Sequence, residues 1–366
     1  MNDGSSFASV MARIEFDWQD DSKGLLPRSV VVKVPSVAQG NEHFSRLDDK
    51  YDSSKVANIA ETKSCINHRN ELNFYQYFLT SPAFHTGGLK VPRFYFGREW
   101  KPLEKVDGIL VIEDLTGTSV VSVVDGLGLD QVFAVTKQLA HLHAATLLSN
   151  DSSWKSKFTL EHMCTPDLIS AMARVAQKLP KMKPEWFPEE KWRMVEGLFE
   201  VDALSADAEK EGLEVLVSGD IWASNLLWKV DAVSGEATSN LAAIIDWQMA
   251  HPGGLMEDLC HLLCSSCAPE IRRNHLDAVL RFYHSSLSSH FTSYNRQFPM
   301  GMEELRRLFH KQLRSTFVFC CFSIALWAHI PKLVGNPPEQ KAVDALLVRP
   351  KTLMEDLIAT MKEDPR

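Results

Sequence analysis

The sequence predicts an α+β chain in two lobes: a small β-rich N-terminal lobe over residues 1–118 and a larger, mainly helical C-terminal lobe over residues 119–366. Three observations carry this expectation. Alternating or β-branched apolar runs concentrate in the first third of the chain. Apolar residues at helical spacing dominate afterwards, beginning with Val132, Val135, Leu139 and Leu142 on one face. A single β-rich island near residues 214–245 interrupts the helices. At ~150 residues per domain, 366 residues fit two domains or one two-lobed unit.

In order, residues 9–18 and 28–34 read as strands joined by the polar cluster 19–24, a hairpin with a long loop. Residues 36–54 are polar and aperiodic, and read as a surface loop. Helical character spans 56–79, and extended stretches follow at 91–97 and 108–115. Beyond the Val132 helix, further helices are expected at 160–178 and 189–199. Short strands are expected at 214–217, 226–230 and 241–245. From 255 to 361 the pattern is helical, broken at Pro331 and at Pro337-Pro338, with His251-Pro252-Gly253-Gly254 leading directly into a helix.

Composition narrows the functional classes. Hydrophobic residues make up 45% and charged residues 23%, an ordinary globular balance that argues against disorder or a disulfide-dense mini-fold. With 39 basic against 47 acidic side chains the net charge is −8, which disfavours general nucleic-acid binding because phosphates need a basic excess. The most apolar run, 316–328, is shorter than the ~20 residues that span a bilayer, so no membrane span is expected. Seven cysteines, two of them adjacent, suit free thiols in a reducing compartment and hence a cytoplasmic location.

The chemistry concentrates in Ser218-Gly219-Asp220-Ile221-Trp222-Ala223-Ser224-Asn225 and in Ile244-Ile245-Asp246-Trp247-Gln248. An Asp, an Asn five residues on, and a second Asp after an apolar strand form the set that phosphoryl transfer needs. One carboxylate accepts the proton of the attacking hydroxyl, while an amide oxygen and a second carboxylate hold Mg²⁺ against the phosphates. Each residue alone is an ordinary turn former; the three together, each bordered by strand residues, point to a site. Upstream, Lys33 stands alone in the strand Val30-Val31-Val32-Lys33-Val34, and Glu71 sits on the expected helix, the pair required at nucleotide phosphates. A glycine-rich phosphate loop is visible only as Gly4-Ser5 within residues 2–9, where a frayed terminus is the ordinary alternative.

Taken in order, VVVKVP, HRNELNFY, VPRFYFG, ILVIEDL, LAHLHA, VLVSGDIWASNLLW and AAIIDWQMAHPGGLMEDLCHLL resemble the CHK-kinase-like (ecdysteroid-kinase-like) family, which is related to choline kinase and the aminoglycoside phosphotransferases. The resemblance covers nearly the whole chain, and its most specific parts are D-x-W-x-x-N and I-D-W-Q. It implies a protein-kinase-like fold and an ATP- and Mg²⁺-dependent kinase acting on a hydroxyl of a small molecule, sterol-like or choline-like. It also implies Asp220 as catalytic base, Asn225 and Asp246 as Mg²⁺ ligands, Lys33 on the ATP phosphates and Glu71 as its partner. The backbone at Glu113, Asp114 and Leu115 would be the adenine hinge, and Asp258 the aspartate that braces the catalytic loop. His143 falls at a helix histidine of the family, where packing is the expected role.

Two departures stand out. Ser218 occupies the place where the family usually has histidine, and the chain starts almost inside the presumed nucleotide loop, which suggests a shortened N-lobe. Both keep a second reading open, a pseudokinase that binds nucleotide or a protein partner without turnover. A protein kinase is disfavoured because Asp246 is followed by Trp-Gln and no activation-segment motif appears. Cys260, His261, Cys264 and Cys267 have some look of a metal site, but leucines intervene and core packing is the better expectation. Trp222, Trp228, Trp247 and Trp327 are expected mostly in the core.

Overall fold

The computed structural model describes residues 9–19, 24, 26–37, 53–160, 165–200 and 213–363. Gly4 and Ser5, expected at the nucleotide loop, lie outside the described residues.

The N-terminal lobe is a four-stranded antiparallel sheet, β1 (Ser9–Glu15), β2 (Ser29–Pro35), β3 (Phe94–Arg98) and β4 (Ile109–Glu113), in the order β1-β2-β4-β3. Register is set by apolar strand residues: Met11 opposes Lys33 across β1 and β2, and Lys33 opposes Leu110 across β2 and β4. Helix α1 (Ser53–Asn73) packs on this sheet and runs into a single π-helical turn, Phe74–Phe78. Phe74, Tyr75 and Phe78 are fully buried there, so the helix end is anchored by rings rather than by a cap.

The C-terminal lobe is helical. Helix α2 (Leu129–Leu148) buries Val132, Val135, Leu139 and Leu142, the face its periodicity predicts. It packs along α6 (Pro269–Ser293). Between them in sequence come α3 (Pro166–Ala176), α4 (Glu189–Val195) and α5 (Glu257–Ser265). Helix α7 (Met302–Trp327) takes the apolar run into the core against α5, and α8 (Gln340–Glu363) closes the bundle. Among the described residues, no helix is long and apolar enough to cross a membrane.

The β island is two small sheets. Strands β5 (Thr118–Ser119), β7 (Leu226–Val230) and β8 (Ala237–Ile244) form one, and β6 (Glu214–Val217) with β9 (His251–Gly254) forms the other. His251-Pro252-Gly253-Gly254 leads on into α5 as expected, but the sequence did not foretell that these four residues form strand β9. Proline and two glycines are poor strand formers, but β6 offers them a buried partner, with Val217 opposite His251. The helix expected over 160–178 is also shorter, because Thr165 caps it by accepting the Leu168 N–H and Pro166 follows in the first turn.

Candidate active site

Strand β6 delivers the chain into a loop that β7 leaves, and this loop holds Asp220 and Asn225. Gly219 turns it with φ +73°. A Cβ at Gly219 would collide with the Met249 carbonyl and lie 3.0 Å from the His251 ring, so both sterics and φ require glycine. A 3₁₀ turn, Ala223–Asn225, then aims the Asn225 amide back at Asp220. Its Nδ2 donates to the Asp220 carbonyl at 2.8 Å and to Asp220 Oδ2 at 3.1 Å.

The second loop is tied to the first through its backbone, since the Ile245 N–H donates to the Asn225 carbonyl at 3.0 Å. One residue on, Asp246 has φ 62° and ψ 70°, left-handed backbone on a residue that is not glycine. Such strain persists where surroundings over-determine it and clusters at functional sites. Here it points the carboxylate to the N-terminal lobe.

Lys33 meets it there. Its Nζ lies 2.7 Å from Asp246 Oδ1 and 2.8 Å from Glu71 Oε2. Burial alone would lower the Lys33 pKa; the Asp246 and Glu71 carboxylates outweigh it and hold the ammonium above its usual range. Glu71 is 2% exposed, so its charge is balanced by Lys33 rather than by water. Asp220 is only partly covered, and its carboxyl is pushed up to about 7 by burial and by Asp246, against the Asn225 amide and Lys33.

The helix bearing Glu71 is fastened to the Asp246 loop. Phe74 stacks on Trp247, and Asn70 Nδ2 donates to the Thr159 carbonyl at 2.8 Å and the Gln248 carbonyl at 3.4 Å. Asp258, at the start of α5, accepts the Ser218 N–H at 2.8 Å and the Gly219 N–H at 3.0 Å, so it braces the Asp220 loop.

The expected hinge residues use their side chains structurally. Glu113 accepts the Arg93 N–H at 3.0 Å, and Asp114 accepts Arg13 Nε and the Ser29 hydroxyl, both at 2.6 Å. The Leu115 carbonyl takes the Thr118 hydroxyl at 2.6 Å. His143 is fully buried with Nδ1 2.6 Å from the Tyr283 hydroxyl, remote in role from the carboxylates. Cys260, Cys264 and Cys267 are buried core residues, and Trp228 and Trp247 are core as well; Trp222 stacks on Trp327.

Geometry thus brings together Lys33, Glu71, Asp246, Asn225 and Asp220. The sequence reading missed Phe74, which showed only as one apolar residue among several. It missed His251 and Glu257, whose pairing depends on β9.

The side-chain oxygens of Asp246 and Asn225 are hard donors of the kind a small hard cation takes, and Lys33 Nζ holds Asp246 through Oδ1. Among the described residues no three His, Cys, Asp or Glu side chains converge as a closed cage. Mg²⁺ is commonly held instead by one or two protein ligands together with substrate phosphates and water.

A family model described as "Uncharacterized oxidoreductase dhs-27" (DUF1679) matches residues 1–365. The chain belongs to this family. A curated relative of that name from Caenorhabditis elegans is 29% identical over 255 residues, covering 68% of this chain. The match takes in 29% of the relative's own length, so this chain corresponds to well under half of it. Among solved structures, an aminoglycoside phosphotransferase from Alicyclobacillus acidocaldarius is 16% identical, with 92% of this chain and 86% of that one covered at a TM-score of 0.40. The GDP complex of aminoglycoside 2'-phosphotransferase-IIIa is 12% identical, with 90% and 86% covered at a TM-score of 0.40. The family shown carries the dhs-27 name rather than that of the CHK-kinase-like family. The fold is protein-kinase-like: an antiparallel sheet lobe with its Lys–Glu pair stands over a helical lobe that carries the two Asp loops.

Proposed function

We propose that this DUF1679 chain is an ATP- and Mg²⁺-dependent small-molecule kinase that phosphorylates a hydroxyl of a metabolite. The observation that carries the reading is Lys33 held between Glu71 and Asp246, with Asp220 and Asn225 bonded to each other in the adjoining loop. Residues 1–118 are the nucleotide-binding lobe, and residues 119–366 carry the base and metal loops. Lys33 meets the ATP phosphates and Glu71 fixes its direction. The backbone of Glu113, Asp114 and Leu115 faces adenine, and Gly4-Ser5 belongs to the phosphate loop. Asn225 and Asp246 would hold Mg²⁺, which would supply neutralisation of charge on the phosphates when bound. Asp220 accepts the proton of the acceptor hydroxyl as its oxygen bonds the γ-phosphorus and the bond to ADP breaks.

The acceptor we favour is sterol-like, of the ecdysteroid kind, with choline-like amino alcohols second; the protein acts in the cytoplasm. The word oxidoreductase comes from the dhs-27 name, which the family and a longer relative share. A doubly wound dinucleotide fold needs a parallel sheet, whereas every strand pairing within the sheets described here is antiparallel.

One observation favours a second reading. The Ser218 hydroxyl is buried and makes no hydrogen bond among the described residues, so the position contributes nothing to holding the loop through its side chain. A pseudokinase that binds nucleotide or a protein partner follows if turnover is absent. The experiment is ATP consumption across a panel of hydroxylated sterols and amino alcohols, beside Mg²⁺-ATP binding. Turnover on any member supports the kinase; binding with none supports the pseudokinase; no binding removes both.

A further inference from the structure

His251 sits where three parts of the site meet. The β6–β9 register sets it opposite Val217, the last strand residue before the Asp220 loop. Its Nδ1 lies 2.8 Å from the Met249 carbonyl at the end of the Asp246 loop. Its Nε2 lies 3.0 Å from Glu257 Oε1 at the start of α5. The ring also packs where Gly219 lacks a side chain.

A carbonyl oxygen only accepts, and so does an ionised carboxylate. Both ring nitrogens must therefore donate, which only the protonated imidazole can do. We infer that His251, as an imidazolium, is the positioning residue that fixes the Asp220 loop against the Asp246 loop. The inference rests on the kinase reading for its effect on rate, but not for its geometry.

The electrostatic surroundings agree. Burial would lower the His251 pKa, and the Glu257 carboxylate outweighs it so that the net shift is upward. Glu257 is shifted down by the same contact, against its own burial. Asp258, the next residue, adds to the attraction while its oxygens hold the Ser218 and Gly219 amides. His261, one turn further along α5, and His143 of α2 also feel Glu257, and burial holds both neutral, to about 4 and about 3. His251 is thus the histidine of this cluster whose surroundings favour the protonated ring. A neutral ring keeps one N–H and must give up either Met249 or Glu257, loosening one loop from the other. With the Ser218 hydroxyl bonded to nothing among the described residues, no side chain at that position takes over.

The test compares wild type with His251→Asn, which offers a donor without charge, and with Glu257→Gln. In wild type the His251 Cε1 proton, followed by NMR, should titrate above 6.5 and move down in Glu257→Gln. The Gly219 amide should exchange at least about 10-fold faster in His251→Asn. Turnover of Mg²⁺-ATP should fall as pH rises through the wild-type His251 pKa. In His251→Asn that limb should vanish and kcat should drop about 10-fold or more, with KM for ATP within about 3-fold, as for a misplaced rather than missing group. A purely structural role would lower the melting temperature and leave the limb in place. Titration of His251 at or below 6.5, or an unchanged rate and pH limb in His251→Asn, overturns the inference. Wild type without any turnover counts against the kinase reading instead, and the NMR and exchange results then decide this one.

Discussion

Phe74 and Trp247 lie face to face, ring centroids 3.6 Å apart and planes within 6°. Phe74 follows the helix that carries Glu71, and Trp247 follows Asp246, so this ring contact joins the Asn70–Gln248 hydrogen bond in fastening together the two segments whose carboxylates share Lys33. Phe74→Leu should cost about 1–2 kcal/mol of stability, the scale of a lost aromatic pair with near-conserved volume. It should also weaken Mg²⁺-ATP binding several-fold. Phe78 stacks on Phe74 at 5.8 Å but touches neither carboxylate loop in that pairing. Phe78→Leu should therefore lose similar stability in urea melts while keeping ATP affinity.

Lys33 balances two carboxylates, so its removal leaves charge behind. Lys33→Met should destabilise by about 3–5 kcal/mol, the usual result of breaking a buried pair on one side. Adding Glu71→Gln should recover part of that loss. Chemical denaturation of the two single variants and the double gives the coupling. An additive double variant would mean that the Lys33–Glu71 contact is incidental.

These two residues were legible early. A lone lysine in VVVKV and a glutamate on a helix are unusual enough in their surroundings to be noticed, and the Asp220, Asn225 and Asp246 spacing is more specific still. The Val132 helix was readable because its apolar face repeats. What was not readable depends on contacts distant in sequence. His251 gains meaning only when Val217 lies beside it, and nothing in His-Pro-Gly-Gly favours a strand locally. Phe74 matters because of where Trp247 falls, 173 residues away by subtraction of their numbers. The role of Asp114 as an acceptor for Arg13 and Ser29 likewise needs the sheet order.

His143 gives a pH dependence of known sign. Burial lowers its pKa to about 3, so the unfolded chain takes up a proton near 6.5 while the folded one does not. Stability should fall as pH drops from 6.5 towards 3. His143→Leu lacks this penalty, though it strands the Tyr283 hydroxyl. Between pH 7.5 and pH 5 its stability should improve relative to wild type by about 2 kcal/mol, at 1.36 kcal/mol per unit. Urea melts at the two pH values measure this, and a constant gap would show that His143 takes up its proton in the fold as readily as in the unfolded chain.

Asp220 separates binding from chemistry. On the proposed role, Asp220→Asn should leave Mg²⁺-ATP affinity within a few-fold, because a base would touch the acceptor rather than the nucleotide. Turnover should fall by about 10² or more, the ordinary reach of a general base. Steady-state rates on any accepted hydroxyl compound check it, and equal rates would take Asp220 out of the mechanism.

The most direct measurement is calorimetric titration of ATP into wild type and Asp246→Ala, with and without Mg²⁺. Asp246 is the group on which the lysine, the strained backbone and the proposed metal site converge. Wild type should bind ATP in a Mg²⁺-dependent way, and the folded variant should lose at least about 10-fold in affinity along with that dependence. Equal Mg²⁺-dependent binding by the two, or no ATP binding by wild type, would contradict the account.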